Sequence, residues 1–518
     1  MDSSPAHNCP LRKHALTSRE RVLVAGSITG LVAVAVTLGI APVYAAAAIG
    51  GIAFLAVLLF TPQLAFFLMI FSLTGWPYYV GFDIGRDIPL PFVLFIIAAL
   101  LGLAVVRHAL RVAAPLPPHP AVRHIDFSVA ILFVVLVVSI LLSGQPGKGV
   151  QPLARVAMVP LALYIVCRHF IRTPERARTV LDVLLVGALV GGMYAVYEWF
   201  LGQNPLLEFF APPEGDMAQH GYWTATQAAA GVTLYRSHGF GLNPIFFATT
   251  LSMLLIHSAV RFATAATSTT RLVFAAASGI AFAGLLVTFS RGPILACGIG
   301  LTICAIVYPN LRKYLLLAVA IVATYLAYEL LRDGSVLRER INDTDNITLR
   351  FKLWQTAFAM FKDNLLFGVG LGQFPEHQLD VIRRHEIGPF FEMGDGRLET
   401  VKTAEHGVLQ FLAETGLVGG AGAMLVVLAI VVIYVPAILG RTQPAERALA
   451  VTAGTALVVF LIVGFTVTIY NSWEAACLVP VMLVSLGIAS RRRSAWAPES
   501  PSRAPLLEPS EQRGITKT

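Results

Sequence analysis

Three polar side chains could together carry out chemistry on a phosphorylated group. Arg236, Arg291 and His406 stand at the edges of long apolar runs. Guanidinium groups stay charged at any working pH and bind phosphate oxygens through two hydrogen bonds, which suits a lipid diphosphate at a membrane surface. A histidine titrates near neutrality and could take the proton of an attacking hydroxyl. This set predicts group transfer, with arginines stabilising the charge that grows on a leaving diphosphate.

Each of these residue types also has a purely structural use. A lone arginine at a span end, such as Arg291, is often an anchor that reaches the membrane surface. His406 could be a hydrogen-bonded residue at a helix end, and Glu414 could cap or pair locally. Arg155, a few residues inside an apolar run, is either a third phosphate contact or a side chain that reaches back to the surface. The run from Gly368 to Gly372 predicts a turn, because no strand pattern precedes it as in a nucleotide-binding loop.

The elements that must position these residues are membrane-spanning helices. The 518-residue chain is 56% hydrophobic and 13% charged, whereas soluble domains carry about 25% charged residues. Apolar runs long enough to cross a bilayer as helices recur along it, and runs such as Ala130 to Leu142 are apolar on every side, which excludes a barrel. The sequence predicts an all-α polytopic membrane protein with about 12 to 14 transmembrane helices.

The basic residues between the apolar runs predict the orientation of the spans. Every second connection is rich in arginine or lysine, which is the pattern of cytoplasmic loops. Both termini are therefore expected in the cytoplasm of a multi-pass inner-membrane protein, with the long polar loops on the periplasmic face. The predicted segments are 1–21 (N-terminal tail), 22–201 (first transmembrane group), 202–244 (first outer loop), 245–331 (central transmembrane helices), 332–417 (large outer loop of short helices), 418–489 (C-terminal helices) and 490–518 (disordered cytoplasmic tail).

The net charge of +8 is explained better by basic cytoplasmic loops than by a nucleic-acid partner, because the cations are spread over many loops. The five cysteines have no CxxC pair and no histidine at ligand spacing. We expect no disulfide framework, no metal site and no cofactor.

The polar motifs around Arg236, Arg291, Arg350 and His406, taken in this order along the chain, resemble those of the O-antigen ligase and polymerase superfamily of bacterial envelope enzymes. The most specific motif is His406 with Leu409, Glu414, Gly416 and Gly419. The turn Ser290-Arg291-Gly292, the pair Arg350 and Trp354, and the Gly368–Phe374 stretch also match. The resemblance covers about Arg236 to Gly420.

The resemblance implies a metal-independent membrane glycosyltransferase with a GT-C-like plan and an undecaprenyl-diphosphate-linked glycan donor. His406 would be the base, and Arg236, Arg291, Arg155 and Arg350 would bind the diphosphate. Glu405, Glu414 and Trp354 would support them. The acceptor would be a hydroxyl of lipid A core, of another glycan or of a protein.

Two other functions are compatible with many spans. A secondary transporter or lipid flippase would need charged residues near the bilayer midplane and paired broken helices, and the sequence offers few, with polarity concentrated on one face. A non-catalytic scaffold of polysaccharide export would tolerate replacement of His406.

Overall fold

The computed structural model describes most of the chain between residues 57 and 490. The described residues are 57–58, 60–79, 81–82, 90–91, 93–109, 120–143, 145–210, 226–229, 232–331, 345–388, 401, 403–440 and 444–490. Residues 22–56 of the predicted first transmembrane group, the predicted N-terminal tail, the C-terminal tail after residue 490 and parts of both outer loops lie outside them.

The first half of the described chain is built from helices and two small strand pairs. The helices are α1 (Pro62–Gly75), α2 (Val93–Ala109), α3 (Pro120–Leu141), α4 (Pro146–Leu153), α5 (Val159–Phe170), α6 (Pro174–Leu201) and α7 (Pro205–Phe210). A π-helical stretch, Ala154–Met158, joins α4 to α5. The strands are β1 (Gly81–Phe82), β2 (Leu90–Pro91), β3 (Thr226–Ala229) and β4 (Val232–Tyr235), paired antiparallel as β1–β2 and β3–β4.

The second half is helical throughout the described part. Its helices are α8 (Pro244–Thr264), α9 (Ser268–Val287), α10 (Arg291–Val307), α11 (Arg312–Leu331), α12 (Asp345–Asp363), α13 (Phe374–Arg384), α14 (Gly407–Ile438), α15 (Pro444–Gly464), α16 (Trp473–Ala476) and α17 (Leu478–Ala489). Two 3-10 turns, Pro309–Leu311 and Ile469–Asn471, precede α11 and α16.

The all-α polytopic membrane fold is confirmed. Seven helical segments among the described residues are long and apolar enough to cross a membrane: Arg123–Leu141, Pro146–Phe170, Pro174–Leu201, Pro244–Ala263, Ser268–Val287, Gly407–Ile438 and Glu446–Gly464. Four shorter apolar helical segments accompany them: Pro62–Gly75, Ile96–Val105, Arg291–Val307 and Glu474–Ala489. The number of membrane crossings stays a prediction.

Helix α8 is the centre of the bundle. It packs against α6, α9, α10 and α15, and nearly all of its residues from Phe247 to Val260 are buried. Asn243 caps it, since its side chain accepts a hydrogen bond from the backbone N–H of Ile245 (2.8 Å) and Pro244 occupies the first turn. Helices α6 and α9 approach closely where Gly192 faces Gly284, because a Cβ on Gly284 would lie 2.9 Å from the Cα of Gly192.

The large outer loop contains the short helices that the sequence predicts, α12 and α13. Its predicted end at residue 417 stays a prediction, because α14 begins at Gly407 and continues without a gap into the predicted span. Gly416 breaks this helix with φ 65° and ψ −164°. The polar residues around Glu414 form a buried helical turn, and α14 packs against the outer-loop helix α12.

Candidate functional site

Arg236 and Arg291 converge on one tight turn between α9 and α10. The Arg236 guanidinium donates to the backbone oxygen of Thr288 (3.1 Å, from Nε) and to the Ser290 hydroxyl (3.0 Å). Ser290 is the residue before Arg291, which is exposed and is the first residue of α10. Two cationic side chains therefore lie at one helix N-terminus, where backbone N–H groups also favour an anion.

Two buried carboxylates hold the segment that carries Arg236. Glu198, near the end of α6, accepts hydrogen bonds from the Tyr235 hydroxyl (2.7 Å) and from the backbone N–H groups of His238 (2.9 Å) and Gly239 (2.7 Å). Glu474 in α16 accepts a hydrogen bond from the backbone N–H of Leu242. Both carboxylates are at most 3% exposed. They fix the loop on either side of the turn at Gly239–Gly241.

His238 adds a neutral, buried ring to this loop. Burial, helped by the nearby Arg236 cation, lowers the pKa of His238 to about 4. Its imidazole is therefore uncharged at neutral pH, and the positive charge of this loop resides on Arg236.

His406 lies at the N-terminus of α14. Its Nδ1 atom accepts a hydrogen bond from the backbone N–H of Leu409 (3.2 Å), which makes it the helix cap. Partial burial lowers the pKa of His406 below its usual value, which favours the neutral ring. A neutral imidazole whose Nδ1 accepts carries its proton on Nε2.

Aromatic rings orient this imidazole. Trp354 from α12 meets it edge to face, with ring centroids 5.3 Å apart, and Phe465, just after α15, meets it at 5.8 Å. Beside them, Arg350 pairs with Glu405 at 3.5 Å. The predicted supporting residues Trp354 and Glu405 are therefore in the same cluster as His406, and Arg350 is joined to that cluster through Glu405.

Backbone strain marks both helix starts. Phe289, φ 48°, lies two residues before Arg291, and Glu405, φ 52°, immediately precedes His406. The described residues hold one other non-glycine residue with positive φ, Glu386. Strained backbone of this kind is found preferentially at functional sites.

The glycine turn after α12 packs on the break in α14. The backbone N–H groups of Val369 and Gly370 donate to the carbonyls of Ala413 and Glu414, both at 2.9 Å. A Cβ on Gly368, where φ is 70°, would lie 2.3 Å from the carbonyl carbon of Glu414. The predicted turn is confirmed, and its glycines permit backbone-to-backbone contact beneath the site.

Glu414 lies in a hydrogen-bonded network under His406. It is 1% exposed and accepts from the Gln410 amide (2.9 Å) and the Tyr470 hydroxyl (3.2 Å). The Gln410 amide oxygen accepts from the backbone N–H of Ala404 and from the Thr468 hydroxyl, both at 2.8 Å. Glu414 thus pairs both locally and across to the turn before α16. This network holds the chain on both sides of His406.

A short segment after α15 joins the arginine pair to the histidine. Phe465 contacts the His406 ring, and the hydroxyl of its neighbour Thr466 would lie 2.5 Å from a Cβ on Gly292, the residue after Arg291. His406 and Gly292, the neighbour of Arg291, thus contact two adjacent residues of the same segment. Arg155 is more distant along the chain, but its π-helical stretch contacts the 3-10 turn Ile469–Asn471, which carries Tyr470.

Several residues of this site have no motif that the sequence analysis used. Glu198 and Glu474 are single acids near span ends, and Gln410, Thr468 and Tyr470 are scattered over two segments. The two acids could have been found by a physical argument, because a carboxylate near the end of an apolar run requires hydrogen-bond partners. Within the part of the chain that the structure describes, no three His, Cys, Asp or Glu side chains converge as a metal site would.

Residues 276–424 match the family model described as O-antigen ligase. No curated protein matches the chain significantly. The matched region includes Arg291, Arg350, Trp354, Glu405 and His406, whereas Arg236 and Arg155 precede it. The match confirms the resemblance to the O-antigen ligase and polymerase superfamily, and it supports, at the level of the family, a multi-pass membrane glycosyltransferase of that type.

Proposed function

We propose that this protein transfers a glycan from an undecaprenyl-diphosphate-linked donor to an acceptor hydroxyl at the outer face of the inner membrane. The observation that carries the proposal is the convergence of Arg236 and Arg291 at the start of α10, one short segment away from the capped imidazole of His406. Both termini are cytoplasmic in this proposal, so the site faces the periplasm.

In the proposed reaction, the acceptor oxygen attacks the anomeric carbon of the donor sugar. A new glycosidic C–O bond forms while the bond from that carbon to the diphosphate oxygen breaks, and the lipid diphosphate leaves with the electron pair. Arg291 and Arg236 bind its oxygens, because guanidinium groups stabilise the negative charge that develops there. Arg350 and Arg155 are further proposed contacts to the diphosphate.

His406 has two possible uses in this scheme. The sequence predicts a base, which needs a free lone pair on the atom that faces the acceptor. The hydrogen bond from Leu409 occupies the lone pair of Nδ1, so a neutral ring presents N–H at Nε2. A base at Nε2 would have to change tautomer and lose the helix cap. This geometry supports a donor role, in which Nε2–H binds a reacting oxygen and the acceptor proton passes to the departing diphosphate.

The proposal is tested by a transfer assay with purified protein in lipid bilayers. Undecaprenyl-diphosphate glycan is the donor, lipid A core, glycan and peptide hydroxyls are offered as acceptors, and EDTA is present throughout. We expect product from the wild type and none from Arg291→Ala. Arg271→Ala is the matched control, because Arg271 is also exposed in the first turn of a helix, α9, but at the opposite end of the bundle.

Three results would contradict the proposal. Product that forms only when divalent metal is supplied would overturn metal independence. Equal activity of Arg291→Ala and wild type would remove the proposed site. Movement of the lipid-linked donor across the bilayer without any product would indicate a transporter or flippase.

A further inference from the structure

A second polar cluster lies at the other end of the bundle, between α6, α8 and α15. The Asp182 carboxylate accepts hydrogen bonds from Nε2 of His257 (2.8 Å) and from the Arg261 guanidinium (3.1 Å). His257 and Arg261 follow Pro244 on α8, so Arg261 lies about 25 Å along the helix from the loop that carries Arg236. The candidate glycosyl-transfer site does not use this cluster.

A cavity of about 280 Å³ opens beside these side chains. Its polar wall includes Arg178, His257 and Arg261, and its apolar wall includes Val260 and Leu449. The volume is several times the roughly 30 Å³ that one water occupies in the liquid, so it can hold a polar group of several heavy atoms. A polar wall next to an apolar wall at the end of membrane helices fits an amphipathic ligand.

Two buried polar atoms at this cavity have no hydrogen-bond partner among the described residues. They are Nδ1 of His257 and Nε of Arg261. Buried polar atoms are normally bonded, and an exception in a folded protein indicates a missing water, ion or ligand. Because His257 is 1% exposed, its orphan nitrogen is not compensated by bulk solvent.

The charges define the chemistry of the missing group. The residues that line the cavity include two arginines, Arg178 and Arg261, and no carboxylate, so an acceptor with negative charge is favoured. Arg261 is held in place, since its guanidinium also lies over the Phe274 ring at 4.8 Å. Nε2 of His257 donates to Asp182, so Nδ1 of the neutral ring accepts and requires a hydroxyl or similar donor. The group sought combines an anion with a neighbouring hydroxyl.

We propose that this cavity binds the headgroup of an anionic phospholipid whose phosphodiester carries a neighbouring hydroxyl, such as phosphatidylglycerol. The phosphate oxygens accept from Arg178 and Arg261, a headgroup hydroxyl donates to His257, and the acyl chains follow the apolar wall. Exposed apolar side chains at the same end of α9, Leu272 and Val273, provide a surface for lipid beside the bundle. Phosphates at this boundary attract basic side chains of membrane proteins.

The test measures the thermal unfolding temperature of the purified full chain in a neutral detergent during titration with lipid. Phosphatidylglycerol is compared with phosphatidylcholine of the same acyl chains and with soluble glycerol 3-phosphate. We expect a saturable rise with phosphatidylglycerol and little change with the other two, because the lipid binds the folded state.

Thr264→Glu introduces a negative charge at the cavity wall and should weaken the apparent affinity for phosphatidylglycerol by about tenfold or more. The control is Thr269→Glu, an exposed position in the first turn of α9 at the same end of the molecule, which should retain wild-type affinity. If Thr264→Glu does not fold, Arg178→Gln replaces it, with the same expected loss.

Three outcomes would overturn the inference. Equal stabilisation by phosphatidylcholine would mean that no headgroup is recognised. Equal stabilisation by glycerol 3-phosphate would identify a soluble anion instead of a lipid. Unchanged affinity of a folded Thr264→Glu or Arg178→Gln would place the lipid elsewhere. None of these outcomes bears on glycan transfer.

Discussion

The two ends of the bundle use their carboxylates differently. At the end away from the candidate site, acids pair with arginines: both oxygens of Asp126 accept from the Arg168 guanidinium (2.9 and 2.8 Å), and Asp182 accepts from Arg261. At the site end, the buried acids Glu198 and Glu474 accept from backbone N–H groups instead.

This difference leaves the exposed Arg291 without an ion pair where the proposed chemistry occurs. Glu198 and Glu474 are buried and accept hydrogen bonds from the loop before α8, while Arg291 forms no ion pair among the described residues. Pairing at one end neutralises charge and stabilises the fold. At the site end, the buried acids Glu198 and Glu474 order the backbone, Arg350 pairs with the partly exposed Glu405, and Arg291 is left to an anionic ligand.

The largest expected effect is the loss of Arg291. Arg291→Ala should reduce transfer about 10²- to 10³-fold, as for other removed groups that stabilise transition-state charge. Arg291→Lys should also be impaired, because a point charge does not reproduce a two-pronged hydrogen bond to phosphate. Initial rates with saturating donor measure this, and wild-type activity of the lysine variant would mean that charge alone suffices.

The next effect separates two roles of His406. His406→Ala should abolish transfer. His406→Asn can still cap α14 but has no donor at the position of Nε2, so it should fold and be inactive.

The variant His406→Gln distinguishes the two roles. It offers a distal N–H without a basic nitrogen, so in the donor role it should keep activity within about tenfold of the wild type. Rates at pH 7 measure this. If the glutamine variant is as inactive as the alanine variant while folded, the histidine is the base that the sequence predicts.

A moderate effect is expected at the buried carboxylate that holds the Arg236 loop. Glu198→Gln replaces an acceptor by a donor next to a backbone N–H, which should lower the free energy of unfolding by about 1–3 kcal/mol. Transfer should fall as well, because Arg236 is no longer held. Thermal unfolding and transfer rates measure both. Glu208→Gln is the control, since Glu208 is exposed. An equal effect of the two variants would contradict the positioning role.

The smallest effect on transfer is expected at the opposite end. Asp126→Asn weakens the pair with Arg168 and should lower the free energy of unfolding by about 1 kcal/mol, since both groups are partly exposed. Transfer per folded molecule should stay at the wild-type level. A large loss of transfer in this variant would mean that the two ends are coupled.

The sequence predicted the helices well because hydropathy depends on local composition. The span predicted to end at Leu201 ends there, and Gly202 follows in the left-handed conformation. The start of α14 at Gly407 does not follow from hydropathy, because the polar residues Glu414 and Thr415 lie in its first turns. Whether such a turn is buried depends on contacts with Leu365 and Leu366, which are distant in sequence.

The site could be predicted only in part, for the same reason. Arg291, His406 and Trp354 could be identified from the sequence, because each belongs to a short motif that resembles one of the family. Glu198 and Glu474 were not, because their partners lie around Gly239 and Leu242, far along the chain. The cap on Nδ1 of His406 also depends on geometry that spacing alone does not contain.

The most direct test of the charge difference between the two ends is equilibrium binding of undecaprenyl diphosphate to the purified protein. Wild type is compared with Arg291→Ala and with Arg271→Ala, which removes an exposed cation from the opposite end. We predict that Arg291→Ala lowers the affinity about tenfold or more, while Arg271→Ala matches the wild type. Equal losses in both variants, or no loss in Arg291→Ala, would contradict the assignment of the diphosphate to the start of α10.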